Sequence, residues 1–457
     1  MRILLTVHQF FPQFAAGTEV LAYSVARELV KRGHVVHVLA GHPDSAKLQD
    51  EERFSEYDFQ GIHVYRFHHA YTAMGGQLSK VEIGYDNRLA ADYFDRILVS
   101  FRPNLVHFFH LNRLGTGLIE RAVHAGIPRF MTPTDFWTIC PTSQLLLGDG
   151  SLCSGPTAHS GNCVKHFVHS TQGRLIGKVA ESLPDRGADV LVRLTSNGVF
   201  PAYPMQEEVL AIAKRLPVNV SRLNQLNGII APNEFMKKFL VRYGVKPDLI
   251  AESAFGVDVT SIEENDCRSR HVGPLRVGFI GTLSFHKGCH LLIEAFKQLL
   301  APGATLKLYG CPEEDQEYAS SLQLLAEANE SIIFCGTFPN SEIAKVFEGI
   351  DVLVVPSLWY ENTPLVVYSA QAARCPVVAS DLPGLSAVIK NNENGLLFES
   401  GCSADLEKQL MRLVTEEQLL NRLSANSPTP KSTELYVDEL LVVWIRLYKC
   451  GCPRCTG

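Results

Sequence analysis

The 457-residue sequence predicts an α/β protein made of two doubly wound, parallel-sheet domains. Three observations carry that expectation. Short apolar runs alternate with longer stretches of helical periodicity along most of the chain, the pattern of strands joined by crossover helices. The alternation pauses in a polar, turn-rich stretch, "FGVDVTSIEENDCRSRHVGP", and then resumes. With 46% hydrophobic and 20% charged residues, each half can bury a core of its own. The same numbers set other classes aside. A net charge of −6 with 42 Lys and Arg argues against nucleic acid as the main partner. The sequence has no apolar run of about 18 residues, so no membrane span is expected. The opening "MRILLTVHQFFP" turns polar at His8, too soon for a signal peptide. The chain is therefore read as cytoplasmic, and its 12 cysteines as reduced thiols or metal ligands.

In chain order, "RILLTV" reads as a strand, and "GTEVLAYSVARELVKRG" as a helix that stops at Gly33. "VVHVLA" follows as a strand, and "NLVHFFH", "PRFMT" and "NGIIAP" complete a first domain over residues 1–255. Residues 140–224 break the alternation as a long insertion with Gly, Pro and Ser clusters and only weak helical patches. A segment of that length reads as a lid or binding element, or as surface decoration. The second domain, residues 273–428, starts with "LRVGFIGTL" and the helix "KGCHLLIEAFKQLL". "ATLKLYG", a helix ending near Asn329, then "SIIFCG", "DVLVVP", "PVVAS" and "NGLLF" complete its sheet. Residues 429–457 hold a last helix, about Thr433–Tyr448, expected to cross back to the first domain, and a Cys-rich tail.

Ligands of open α/β sheets bind beyond the carboxyl ends of the strands, so chemistry is sought there. "GFIGTLSFHKG" sets Lys287 and Gly288 where a helix begins, a place suited to phosphate, although a solvated surface lysine would look the same. In "WYENTPLVVYSA", Thr363 is the expected N-cap, Pro364 the first helical residue and Glu361 a carboxylate in the loop before them. Backbone N–H groups between Asn362 and Leu365 then face any phosphate at this helix mouth. Ser369 lies about 9 Å up the helix at ~1.5 Å per residue, either presenting its hydroxyl to a ligand or letting helices pack closely. In the first domain His110 ends "LVHFFH" and Asp135 follows "RFMTPT"; His110 reads equally well as a hydrogen-bonded strand-end residue. His68, His69 and His107 are read as structural. Cys140, Cys153, Cys163 and His166 give C-x12-C-x9-C-x2-H, a candidate structural zinc site of Cys3His type or else scattered buried thiols. Cys450, Cys452 and Cys455 offer three further ligands and no evident fourth.

Taken together, "GTLSFHKGCHLLIEAF", "WYENTPLVVYSAQAARCPVVASDLPGL" and "NGLLF" resemble the donor half of family-4 retaining glycosyltransferases of the GT-B fold. "PQFAAGTEVLAYSVARELVKRGHVVHVLA", "PNLVHFFHLNRLG" and "NGIIAPNEFMKKFLVRYGV" resemble the first half of the same family. The resemblance implies two Rossmann-like domains facing a central cleft. It implies a nucleotide-sugar donor and a glycan or lipid-linked acceptor, in surface glycan or glycoconjugate synthesis. It leaves peripheral association with the inner face of a membrane open, and requires no cofactor for the chemistry; the candidate zinc is structural and rests on the cysteine spacing alone. Lys287 matches the lysine on the donor diphosphate, and Glu361 the first of two glutamates eight residues apart, the one near the transferred sugar. Gly17, Gly281, Thr282, Asn362, Thr363, Pro364, Leu365 and Ser369 would surround the donor; His110, Thr134 and Asp135 would line the acceptor side.

Four positions depart from that pattern. Ser369 replaces the glutamate that grips the ribose, and Thr282 stands where many members carry arginine. Thr134 replaces a histidine before Asp135, and Ala387 replaces a glutamate after the Gly-rich turn. Removing a charged hydrogen bond to the donor costs roughly 1.5–3 kcal/mol. The alternative function is accordingly a degenerate, non-catalytic GT-B subunit that binds a sugar nucleotide or glycan. A third, sugar–nucleotide epimerisation, fits the "HKG" and "WYENTP" pair less well.

Overall fold

A computed structural model describes residues 1–263, 273–312, 315–327, 329–362 and 364–450, without the side chains of residues 174, 175, 261, 263 and 446–450. Thr363, Cys452 and Cys455 lie outside the described residues, as does the side chain of Cys450. The chain divides into two compact units. One comprises Met1–Asp149, Cys153–Ala254 and the chain from Tyr436 onward; the other comprises Phe255–Leu435 with Gly150–Leu152.

The first unit is built on eight strands: β1 Arg2–Val7, β2 Val35–Pro43, β3 Phe54–Phe59, β4 Ile62–His69, β5 Leu105–Phe108, β6 Arg129–Met131, β7 Gly228–Ala231 and β8 Ile250–Glu252. Their order is β3-β4-β2-β1-β5-β6-β7-β8. β1 is apolar because both its faces are covered: Ile3, Leu4, Leu5 and Val7 are fully buried. The helix Gly17–Lys31 lays Leu21, Ala22, Val25, Ala26 and Leu29 on the core as one stripe. The sheet is not wholly parallel, as expected from the alternation, because β3 pairs antiparallel with β4 at the edge. Gln60 and Gly61, with φ of 48° and 81°, make the two-residue turn between them, and this left-handed pair suits the twist of a tight hairpin.

The insertion departs further from its reading. It carries four helices, Gly161–Thr171, Arg174–Ser182, Asp185–Ser196 and Gln206–Leu223, not weak patches. Gly177 explains part of the misreading, since a Cβ there would stand 2.7 Å from the ring of His169. It is a contact glycine between two short helices, not a breaker. The last helix, Thr433–Cys450, buries Trp444, whose Nε1 donates to His107 Nδ1 at 3.2 Å. His107 Nε2 pairs with Thr132 Oγ1 at 3.0 Å, so this buried histidine has a structural role.

The second unit holds β9 Arg276–Ile280, β10 Thr305–Tyr309, β11 Ile332–Gly336, β12 Val352–Val355, β13 Val377–Ser380 and β14 Gly395–Phe398. The order is β11-β10-β9-β12-β13-β14, every pair parallel. Two apolar clusters cover the two faces of this sheet, one around Phe279, Leu292 and Leu406, the other around Leu353, Val367 and Leu385. In each sheet the first strand lies between neighbours reached in opposite directions. The crevice beyond the strand ends therefore opens between β9 and β12 in this unit, and between β1 and β5 in the first.

Candidate functional site

Beyond β9 the chain enters a single 3-10 turn, Phe285–Lys287, and then the helix Cys289–Gln298. Gly288 links the two at φ 70°, and a Cβ on it would lie 1.9 Å from the carbonyl oxygen of Pro356, the first residue after β12. Only glycine lets the two loops approach this closely. The backbone adds a bond from Leu358 N–H to His286 O at 2.8 Å. Lys287 is thereby held against the loop that carries Glu361.

Three donors converge on one oxygen of Glu361. Lys287 Nζ reaches Oε1 at 2.7 Å, Ser357 Oγ at 2.8 Å and Trp359 Nε1 at 2.8 Å. Burial alone would raise the Glu361 carboxyl, but the Lys287 charge and these hydrogen bonds outweigh it and hold the group below its ordinary value. Trp359 also places its ring 5.0 Å from the ammonium, a cation–π contact. His286, packed against Trp359, is pushed down to about 4, by burial first and by Lys287 next, so it is neutral at pH 7. Sequence analysis assigned no role to Ser357 or to Trp359, although Trp359 opens the "WYENTP" stretch; their signal is their place between β12 and the glutamate.

The helix that follows begins at Leu365, with Pro364 as its N-cap, one residue later than expected. Asn362 is 5% exposed, and among the described residues neither its Nδ2 nor its Oδ1 has a partner. A buried amide of this kind suits a ligand beside Glu361. Ser369 is 4% exposed and donates to the carbonyl of Leu365 at 3.2 Å, so its hydroxyl proton is used within its own helix. Thr282 Oγ1 pairs with Ser284 Oγ at 3.3 Å, and Gly281 N–H bonds Tyr309 O at 3.0 Å across the strand ends.

In the first unit, His110 and Asp135 meet beyond β5 and β6, with His110 Nε2 2.9 Å from Asp135 Oδ2. The strand stops at Phe108, so His110 sits two residues past it. Asn112 N–H donates to His110 Nδ1 at 3.0 Å, which assigns the ring proton to Nε2, facing the carboxylate. Thr134 accepts from Thr18 Oγ1 at 2.9 Å, next to Gly17, where a Cβ would meet nothing within 4 Å. Two residues that the sequence does not point to complete the cluster. His8, the residue after β1, packs its ring against that of His110 with centroids 4.3 Å apart and planes tilted by 46°, and its Nε2 lies 3.4 Å from Glu19 Oε1. Burial raises Glu19 to about 7, against backbone N–H groups and Arg113, and burial also lowers His8. The signal that could have found His8 is its place at the end of β1; Glu19, inside an amphipathic helix, gave none.

Cys140, Cys153, Cys163 and His166 line one cavity. Among the described residues, however, no group of three or more His, Cys, Asp or Glu is arranged to hold a metal ion, and no helix is long and apolar enough to cross a membrane.

Comparison with known proteins bears on the family and the fold. Residues 262–429 match the family described as glycosyl transferases group 1, and residues 15–144 match glycosyltransferase family 4. A putative glycosyltransferase of Bacillus subtilis, YtcC, is 31% identical over 157 residues, 33% of this chain and 39% of that protein. The D-inositol 3-phosphate glycosyltransferase of Rhodococcus erythropolis is 29% identical over 204 residues, 41% of this chain and 45% of that protein. The chain thus spans less than half the length of these two relatives. Among solved structures, sucrose-phosphate synthase from Thermosynechococcus elongatus superposes with TM-score 0.65 at 14% identity, covering 98% of this chain and 100% of that one. Anabaena HepE, solved with UDP-glucose, gives TM-score 0.59 at 16% identity over 98% and 99% of the two chains. Family models match both halves in order, and the fold is shared along the chain: it belongs to the family-4 glycosyltransferases of the GT-B fold.

Proposed function

We propose that the chain is a retaining glycosyltransferase that moves a sugar from a nucleoside-diphosphate sugar to a hydroxyl of a glycan or lipid-linked acceptor. The observation that carries this reading is the Lys287–Glu361 pair, fixed by Ser357, Trp359 and Gly288 at the β9/β12 crevice. Lys287 and the free N–H groups at the start of helix Leu365–Ala372 would neutralise the diphosphate as its bond to the sugar carbon breaks. The acceptor oxygen forms the new bond on the face the diphosphate leaves, and its proton passes to the departing phosphate oxygen. Glu361 and Asn362 would hold the sugar. His110 and Asp135 would orient the acceptor hydroxyl, with His8 packed behind.

On this reading the protein would serve glycan or glycoconjugate synthesis. Ser369 favours the second reading, a binding subunit without turnover, because a hydroxyl bonded within its helix cannot replace a ribose-gripping carboxylate. The experiment is turnover: UDP-, GDP- and ADP-sugars with an acceptor panel, measuring release of the nucleoside diphosphate. Release that Glu361→Gln abolishes supports the enzyme. Tight donor binding with no release from any pair supports the binding subunit.

A further inference from the structure

The insertion walls a cavity of about 530 Å3 within the first unit, a volume in the range of small-molecule sites. Helical spacing sets its lining. Cys163, His166, Phe167 and Ser170 form one stripe of the helix Gly161–Thr171, and Ile212 and Arg215, three apart, come from the helix Gln206–Leu223. Asp189 fixes the start of the first of these helices by accepting from Gly161 N–H at 2.8 Å and Thr157 Oγ1 at 2.6 Å. The segment after β6 adds Trp137 and Leu146, both buried.

The charge of this lining is one-sided. Among the described residues no Asp or Glu lines the cavity, whereas Arg215 does, and so does Lys80, whose side of the lining is exposed. Arg215 is 4% exposed, donates to the carbonyls of Ile139 (3.0 Å) and Trp137, lies 5.2 Å from the Trp137 ring, and makes no ion pair among the described residues. The acidic groups facing it are the Cys140 and Cys163 thiols, the Tyr85 phenol and the Asp135 carboxylate. Burial raises Cys163 and Tyr85, which keeps both neutral at pH 7. Asp135 is already engaged by His110 Nε2 at 2.9 Å and Trp137 N–H at 2.8 Å. A buried guanidinium left in this state is costly to the fold and suited to an anion.

The cavity also adjoins the acceptor-side pair. Trp137 lies 5.6 Å from the His110 ring, and Asn112, which lines the cavity as well, donates its N–H to His110 Nδ1 at 3.0 Å. We propose that the cavity binds a small anionic amphiphile, an apolar group carrying one phosphate or carboxylate that pairs with Arg215. Trp137, Leu146, Phe167 and Ile212 cover the apolar part. Resting on the transferase reading above, this ligand is the non-reacting body of the acceptor, whose hydroxyl extends past Trp137 to His110 and Asp135. That favours an acceptor with an apolar anchor over a free glycan.

The test is calorimetric titration of the full chain, in phosphate-free buffer, with octyl phosphate below its micellar concentration, with octanol and with inorganic phosphate. Octyl phosphate should bind at least about tenfold more tightly than either control, because only it offers both an apolar chain and a charged partner for Arg215. Arg215→Met should remove that advantage over octanol. Leu147→Trp, which fills the cavity from its half-buried rim, should abolish octyl phosphate binding and leave UDP affinity unchanged. Where Arg215→Met fails to fold, the wild-type series and Leu147→Trp decide. Equal affinity for inorganic phosphate, equal affinity for octanol, or octyl phosphate binding that survives Leu147→Trp overturns the proposal. Because the titration needs no turnover, the two readings fail separately. Octyl phosphate bound by a chain that releases no nucleoside diphosphate overturns the transferase and keeps the cavity, and transfer by a chain that does not bind octyl phosphate does the reverse.

Discussion

Lys287→Ala separates the donor reading from a structural role for this lysine. The ammonium lies 2.7 Å from a glutamate that is 4% exposed, so its loss leaves Glu361 buried with two neutral donors, Ser357 and Trp359. Breaking one side of a buried pair costs about 3–5 kcal/mol. Two surviving hydrogen bonds and a lysine side chain 21% exposed bring the expected loss to about 2–3 kcal/mol. The Glu361 carboxyl should also rise, because burial is then opposed only by the remaining hydrogen bonds. Separately, the diphosphate is deprived of a charged hydrogen bond worth roughly 1.5–3 kcal/mol, a fall of about 10- to 150-fold in affinity. A nucleoside carries no phosphate and should bind as before.

The assay is calorimetric titration of UDP, GDP and ADP and of the matching nucleosides, with a denaturation curve for each protein. Lys287→Met combined with Glu361→Gln removes both charges and should recover most of the stability without recovering transfer. Diphosphate affinity equal to that of the wild type, with stability alone reduced, would refute the phosphate role and leave Lys287 as a partner for Glu361 only.

Other positions give independent outcomes. Gly288→Ala must place a Cβ 1.9 Å from Pro356 O at φ 70°, and should cost at least about 2 kcal/mol in a urea titration and abolish transfer. Ser369→Ala should change nucleotide affinity by less than about twofold, because the hydroxyl serves Leu365; a tenfold loss in titration calorimetry would show that it reaches the nucleotide instead. Glu19, raised to about 7 from an ordinary 4.5, contributes stability below pH 4.5 that is lost as pH climbs through 7. Measured against Glu19→Gln, which shares every other titrating group, the wild type should therefore lose up to about 3 kcal/mol of relative stability between pH 5 and pH 8.

Most of the second unit was legible because its strands are short, mostly apolar runs bounded by Gly, Pro or Asn, with β12 and β13 buried throughout. The first unit was harder where those cues fail. β3, "FSEYDF", is a half-exposed edge strand with no continuous apolar run, and its only signal was the Gln60–Gly61 turn. The insertion hid its helices because Gly173, Gly177, Gly187 and Pro184 sit at their joints and contacts, where a periodicity reading takes them for breaks. Site residues divide in the same way. Lys287 and Glu361 stand in motifs with a fixed spacing to a strand end. His8 and Glu19 meet only because the β1 end and the first helix pack together, a tertiary fact that the linear pattern does not contain.

The two departures on the donor side are both absorbed locally. Thr282 and Ser369 both give up charge, yet each is satisfied locally, through Ser284 Oγ and Leu365 O, and neither leaves a buried group orphaned. Among the described residues at this site the amide without a partner is that of Asn362, beside a carboxylate held ionised by a lysine and two neutral donors. Burying an ion pair is poor value for stability, since apolar residues of the same volume would often serve better. An unpaired amide next to it adds a further cost without a folding return. A chain without catalysis would be free to carry apolar side chains at these three positions. Their presence in one connected arrangement, while the ribose carboxylate is absent, fits an enzyme with a relaxed grip on the nucleoside better than a binding module that holds its ligand and has no chemistry.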